Sequence, residues 1–126
     1  MNNIQKIETD LAPKAIGSYS QAVIASGFVF VSGQIAMTSG VVSGDIKKQT
    51  KQVIENIKNI LIEAGTELES VVKVDVFLKN MSDFAEMNTE YEKFFFGKCL
   101  PARVTVGVSE LPKNALVEIS CIALKK

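Results

Sequence analysis

The apolar residues of this chain repeat with two different periods, and the points where the period changes fix what it can fold into. From Asp45 onward Ile46, Val53, Ile54, Ile57, Ile60, Leu61 and Ala64 recur at three-, four- and seven-residue steps, the spacing of one face of an amphipathic helix. Gly65 stands where a left-handed C-cap belongs. The opposite face carries Lys47, Lys48, Lys51, Glu55, Lys58 and Glu63 and reads as solvated surface. Before Asp45 the pattern belongs to strands. IQKIET alternates around Ile4 and Ile7, and QAVIA and FVFVSGQI are separated by Ser26-Gly27, a two-residue connection of the kind that closes hairpins. Phe28, Val29, Phe30 and Val31 are consecutively apolar, which predicts a strand buried on both faces.

Period two returns in VVKVDVFLK, Val71 to Lys79. A second helix is then predicted, with Asp83 and Glu86 at capping-box spacing and a core stripe of Phe84, Met87, Tyr91 and Phe94 or Phe95. Gly97 ends it, Pro101 bars further helix, and RVTVGV and ALVEISCIAL supply two closing strands. The order β-β-β-α-β-α-β-β predicts an α+β fold, a mixed six-stranded sheet with two helices on one face. No Pro-, Gly- or Ser-rich linker interrupts it, so residues 1–126 are expected to form one domain. The last strand is apolar at both parities: Leu116, Ile122 and Leu124 share one side, Val117, Ile119, Cys121 and Ala123 the other. A sheet face with no helix left to cover it predicts self-association through a closed symmetric oligomer.

Composition removes whole classes of function. Fourteen basic residues balance fourteen acidic ones, so there is no general attraction to a phosphate backbone or an anionic bilayer, and nucleic acid is not the expected partner. The chain has no histidine, which excludes imidazole-dependent triads and the commonest metal ligand. Cys99 and Cys121 are too far apart for CxxC chemistry and too few for a disulfide scaffold, and read as free thiols in a reducing compartment. The first ten residues lack the apolar core of a signal peptide, and no apolar run reaches the length of a membrane span. A soluble cytoplasmic protein is expected.

Arg103 is the single arginine beside thirteen lysines. A guanidinium differs from an ammonium in gripping a carboxylate or phosphate through two parallel hydrogen bonds; the alternative is an edge-strand arginine in a surface salt bridge. Glu118 interrupts an apolar strand. It either has a chemical task or reaches solvent or a lysine at the rim. Placed on adjacent strands, Arg103 and Glu118 are able to converge, which sequence alone does not decide. Tyr19, Gln21 and Ser32 offer polar groups beside Gly17 and Gly33, where backbone can approach a ligand closely. The bland alternatives are a half-buried anchor for Tyr19 and a local backbone bond for Ser32. Asn88 breaks the second helix's stripe and either serves a site or faces water.

GSYSQA at 17–22, VFVSGQI at 29–35, GDIKKQTKQVIENI at 44–57, MNTEYEKFF at 87–95, PARVTV at 101–106 and LVEISCIAL at 116–124 together resemble the Rid family, the YjgF-type reactive intermediate deaminases. The resemblance spans nearly the whole chain. It implies a chorismate-mutase-like fold, a homotrimer whose sheets form a central β-barrel, and ligand clefts at the subunit interfaces. It further implies hydrolysis of 2-enamine and 2-imine acids, such as 2-aminoacrylate and its imine tautomer, to 2-keto acids and ammonia without metal or organic cofactor. Carried over residue by residue, the carboxylate-binding arginine falls on Arg103, the water-orienting glutamate on Glu118 and the pocket tyrosine on Tyr19. Ser32, Gly33 and Asn88 match positions lining the same cleft, and Thr105 falls at the position whose carbonyl oxygen the family uses. Ser18 and Leu100 stand where proline and phenylalanine are common, and the Met37–Gly44 turn is short for the family. Two other functions compete: a non-enzymatic module binding keto acids or other small carboxylates, and the ribonuclease or translation-inhibitor activity reported for some relatives.

Overall fold

A computed structural model describes residues 3–126. The first three strands form a meander, β1 (Gln5–Ile7), β2 (Ala22–Ala25) and β3 (Phe28–Gln34), all antiparallel. Ser26 and Gly27 both have positive φ, 51° and 82°, the type I′ geometry whose twist matches that of the flanking strands. Ser39-Gly40 repeats the device, φ 51° and 78°, and closes a hairpin of β4 (Met37–Thr38) and β5 (Val41–Val42) within what the sequence pattern presents only as a turn.

Helix α1 (Ile46–Glu63) starts on the Asp45 carboxylate, which accepts the Lys48 N–H at 2.9 Å. It ends in a Schellman motif: Gly65, at φ +80°, donates to Ile62 and Thr66 donates to Leu61. Its apolar face, with Val53, Ile54, Ile57, Ile60 and Leu61, is buried to 1% exposure or less. Burial of side chains of this kind contributes about 1.5–3 kcal/mol each. β6 (Val71–Leu78) follows, then α2 (Phe84–Tyr91), β7 (Ala102–Gly107) and β8 (Val117–Leu124). The expected capping box at Asp83 does not form: Asp83 is helical, its side chain makes no cap bond, and a 3-10 turn over Met81–Asp83 leads into α2 instead. The core stripe of α2 is also shorter than expected, for Met87, Tyr91 and Phe95 are buried while Phe84 is exposed.

The six long strands make one mixed sheet in the order β1-β2-β3-β8-β6-β7, with β6 and β7 parallel and the remaining pairs antiparallel. The buried residues of both helices join Val29 and Val31 of β3, Val74 and Val76 of β6, and Val117, Ile119, Cys121 and Ala123 of β8 in one core. All of these lie on the same side of the sheet. On the other side Phe28, Phe30, Val72, Val104, Val106 and Leu124 are exposed. The reading of β3 as buried on both faces is therefore corrected for the single chain, where its exposure alternates strictly over Phe28–Val31 because helices cover only one face. The α+β class, the mixed sheet, the helices on one face and the open apolar face agree with the pattern of periods.

Candidate functional site

Arg103 sits on β7, the edge of the sheet. In the parallel ladder it lies opposite Val74 of β6, which is fully buried under the helices, so its side chain rises on the helix face. There its Nη1 donates to Oδ1 of Asn88 at 2.7 Å, while the Asn88 Nδ2 donates to Glu92 one turn on, at 3.3 Å. That second bond fixes which end of the amide faces the arginine. The guanidinium carbon lies 4.7 Å from the ring centroid of Tyr91 and 5.6 Å from that of Phe84. Among the described residues no carboxylate pairs with Arg103, which disposes of the surface salt bridge. Two buried hydroxyl oxygens on these elements, Tyr91 Oη and Thr105 Oγ1, have no hydrogen-bond partner among the described residues. Burial pushes the Tyr91 phenol above its usual pKa, with the positive charge of Arg103 opposing the shift.

Glu118 lies opposite Phe77 on β6, at the parity of the open face. The register of β3 against β8 slips between Val31 and Gln34, a bulge in the stretch whose Gly33 lies against the acid. Gly33 is needed for close packing: a Cβ there would overlap Glu118 Oε2 and lie 2.9 Å from its Cδ. Desolvation alone raises the Glu118 carboxyl above the usual carboxylate range. No cation is paired with it among the described residues, so the rim-lysine alternative also fails. A cavity of about 380 Å³ opens over the carboxylate, walled by Tyr19, Gly33, Ile35, Met37 and Lys113 among others.

The loops around this cavity are held by amides. Buried Gln21 accepts the Thr9 N–H at 2.7 Å and donates to the carbonyls of Thr9 and Pro13 at 3.1 and 2.8 Å. It is thus a clamp for the preceding loop and not a free ligand group. Ser32 Oγ donates to the Ser20 carbonyl at 2.6 Å, tying the Tyr19 loop to β3; the expected alternative of a bond to its own local backbone is corrected, since the partner lies twelve residues back in the chain. From α1, Gln49 accepts the Leu116 N–H and Asn56 donates to the Ile35 carbonyl, at 2.9 and 3.2 Å. Lys113 and Asn114 both adopt positive φ, 54° and 56°, which is strained for residues with a Cβ.

The candidate residues therefore form two groups rather than one. Arg103, Asn88 and Thr105 gather on the helix face at the β7 edge; Tyr19, Ser32, Gly33 and Glu118 gather around the open face. Convergence of Arg103 and Glu118 within one chain is corrected, since β6 separates their strands and they point to opposite sides. Four contributors lie outside the candidate residues of the sequence analysis: Lys113 and Gln49, which the pattern of periods does not single out, and Tyr91 and Phe84, which it places in a core stripe. The thiols are free, Cys99 exposed and Cys121 buried, and burial with the nearby Asp75 charge pushes Cys121 up to about 12. Among the described residues no group of three or more His, Cys, Asp or Glu side chains is arranged to hold a metal ion, and no helix is long and apolar enough to cross a membrane.

Residues 9–125 match the family model described as Endoribonuclease L-PSP. A RutC family protein of Pyrococcus abyssi is 55% identical over 123 residues, covering 95% of this chain and 96% of the relative. A protein of Dermatophagoides farinae named 2-iminobutanoate/2-iminopropanoate deaminase is 46% identical over 121 residues, covering 94% of each chain. The crystal structure of yeast Mmf1 superposes with a TM-score of 0.94 at 46% identity, covering 98% of this chain and 100% of that one. That yeast protein is described as mitochondrial, so kinship does not assign this chain to the cytoplasm.

Proposed function

The chain belongs to the Rid family, and from that premise we propose that it is a hydrolytic deaminase of 2-imino acids working at a site shared between copies of a homotrimer. Arg103, Asn88 and the Thr105 carbonyl come from one copy, and Tyr19, Ser32, Gly33 and Glu118 from its neighbour. The observation that carries this reading is the pair of charges on opposite faces of one sheet that lack counter-ions among the described residues: Arg103 without an anion, Glu118 without a cation. A single copy cannot unite them. A second copy seated on the open apolar face brings another Arg103 edge toward Glu118, and the central barrel expected of the family is one way of closing such faces.

The chemistry asks little of the protein. A protonated imine carbon is already electrophilic, so hydrolysis needs an anchored substrate, a positioned water and a proton acceptor. Arg103 takes the substrate carboxylate through the donors that Asn88 leaves free. Glu118 and the Thr105 carbonyl hold the water; β7 is an edge strand, and every second carbonyl of such a strand is unclaimed by the sheet. As the water oxygen bonds to the imine carbon, its proton passes to Glu118, whose desolvated carboxylate is a stronger base than an exposed one. The amine nitrogen then takes up a proton, for which protonated Glu118 is a source, the C–N bond breaks as the new hydroxyl gives its proton to solvent and becomes the carbonyl, and ammonia and the 2-keto acid are released. The substrates are 2-aminoacrylate, through 2-iminopropanoate, and 2-iminobutanoate, the substrate class named for the mite relative. No cofactor enters the scheme. RNA cleavage, which the family model's description names, is not the reading adopted: the net charge is zero and there is no histidine.

The test uses 2-aminoacrylate generated in situ by a serine dehydratase, with pyruvate release followed over time. The protein should shorten the lifetime of the intermediate, and Arg103→Ala and Glu118→Ala should each abolish the effect. Co-expressed in equal amounts, the two dead variants should recover about a quarter of wild-type activity, since a site needs an intact Arg103 from one copy and an intact Glu118 from the next. Equal decay with and without protein rejects the enzyme, and 2-oxobutanoate binding without turnover would make it a keto-acid-binding module instead. Activity in the single variants but none gained on mixing rejects the shared site.

A further inference from the structure

Arg103 has a problem that the site as described does not solve. It projects from an edge strand with no carboxylate among the described residues to hold it, and a long side chain left free must be ordered by the ligand, at the expense of affinity. One bond, to Asn88 Oδ1, fixes one corner of the guanidinium. Two aromatic rings flank the guanidinium, their centroids 4.7 Å (Tyr91) and 5.6 Å (Phe84) from its carbon. Phe84 is the informative one. The rest of the α2 stripe is buried, yet Phe84 remains 36% exposed, so the core does not account for it.

We propose that Phe84 and Tyr91 are positioning residues that cradle the Arg103 guanidinium and present its unbound edge to the carboxylate of the ligand. The inference rests on the carboxylate-binding role proposed for Arg103. An aromatic face attracts a cation through its quadrupole and takes none of the in-plane N–H donors. A carboxylate in the same place would take two of them and close the site. Asn88 uses one Nη1 hydrogen, the rings limit the plane, and the other donors stay available for a second anion. Tyr91 is itself stacked on Phe95, with centroids 4.5 Å apart, so one wall of the cradle is anchored in the core. Phe84, at the first turn of α2, is the wall that can be altered without emptying the interior.

The test is calorimetric binding of 2-oxobutanoate, with KM and kcat measured in parallel, across a Phe84 series. Phe84→Leu keeps apolar bulk and removes the quadrupole. It should weaken binding about three- to tenfold and raise KM in step, with kcat changed less than twofold. Phe84→Trp, with the stronger ring, should restore wild-type affinity. Tyr91→Phe keeps the ring and should bind within about twofold of wild type. Leucine and tryptophan variants that both bind like the wild type, or both bind equally weakly, overturn the cradle. Arg103→Ala separates the two levels of the argument. If it abolishes binding while Phe84→Leu has no effect, only the cradle fails; if it leaves binding intact, the carboxylate role of Arg103 fails and the cradle with it.

Discussion

Replacing Gly33 by alanine tests the geometry of the acid without touching any charge. Gly33 is not in the left-handed region, so a side chain there adds no backbone strain. What a Cβ meets is Glu118: it overlaps Oε2 and stands 2.9 Å from Cδ and 3.2 Å from Cγ. Carbon atoms rest at about 3.5–4.0 Å, so the carboxylate must retreat by about an ångström. It can do so, because the obstructed group is the end of a flexible side chain, and the fold should survive. A displacement of about 1 Å at a reacting group lowers rates on the order of 100-fold. Gly33→Ala should therefore lower kcat for 2-iminopropanoate by about two orders of magnitude while 2-oxobutanoate, anchored by Arg103, binds within a few-fold of wild type. The assay is pyruvate release with calorimetry and thermal melting alongside. The decisive control is the Glu118→Ala background, where no carboxylate remains to displace and Gly33→Ala should add no further loss. Wild-type kcat in Gly33→Ala, or an additive loss in the double variant, would refute the reasoning.

Arg103→Lys keeps the charge but loses the fork and the flat face that stacks on Tyr91 and Phe84, so kcat/KM should fall at least about tenfold, read by the same coupled assay. Glu118→Gln should raise the melting temperature at neutral pH. The folded-state pKa of this acid is raised by burial, so ionised Glu118 opposes folding above that pKa, and the advantage of the glutamine should fade as pH falls into the ordinary carboxylate range. An advantage that grows on acidification contradicts the burial assignment. The kcat/KM profile should lose its acid limb at a pH above that of an exposed glutamate, for the same reason. Phe30→Asp places a charge on the open face opposite Ile122, where Phe30 is 41% exposed; sedimentation should show smaller species and deamination should be lost together with assembly.

What the sequence made legible was set by how local each feature is. The helix at Ile46–Glu63 was readable because its apolar period, Asp45 and Gly65 all agree over one short stretch. The open face was readable because strand parity is local, and Ile122 and Leu124 on one side of β8 needed no knowledge of the neighbouring strands; Leu116, assigned to the same side, instead precedes β8 and packs against the core. The capping box at Asp83 failed because Met81, Ser82 and Asp83 wind into a 3-10 turn, leaving the aspartate helical and its carboxylate misdirected. The arrangement of the site was out of reach for a different reason. Strand order depends on long-range pairing, and the insertion of β8 between β3 and β6 decides that Arg103 and Glu118 are two strands apart. Their faces follow from the register of β6, with Val74 beside Arg103 and Phe77 beside Glu118. No local pattern encodes that.

Keeping those two charges on opposite sides of a sheet has a chemical consequence. An arginine and a glutamate exposed in one cavity of one chain would form a bidentate pair, and such a pair leaves neither the donors for a substrate carboxylate nor the lone pairs for a water. Here each charge is held by groups that do not neutralise it: an amide and two rings for Arg103, a glycine-lined bulge for Glu118. On the proposed reading both remain unpaired until copies associate, and the substrate carboxylate then claims the guanidinium. On the same reading association would remove further water from Glu118, which raises a carboxylate pKa, and would bring a guanidinium toward it, which lowers it, so the substrate carboxylate's claim on Arg103 is what would leave Glu118 basic.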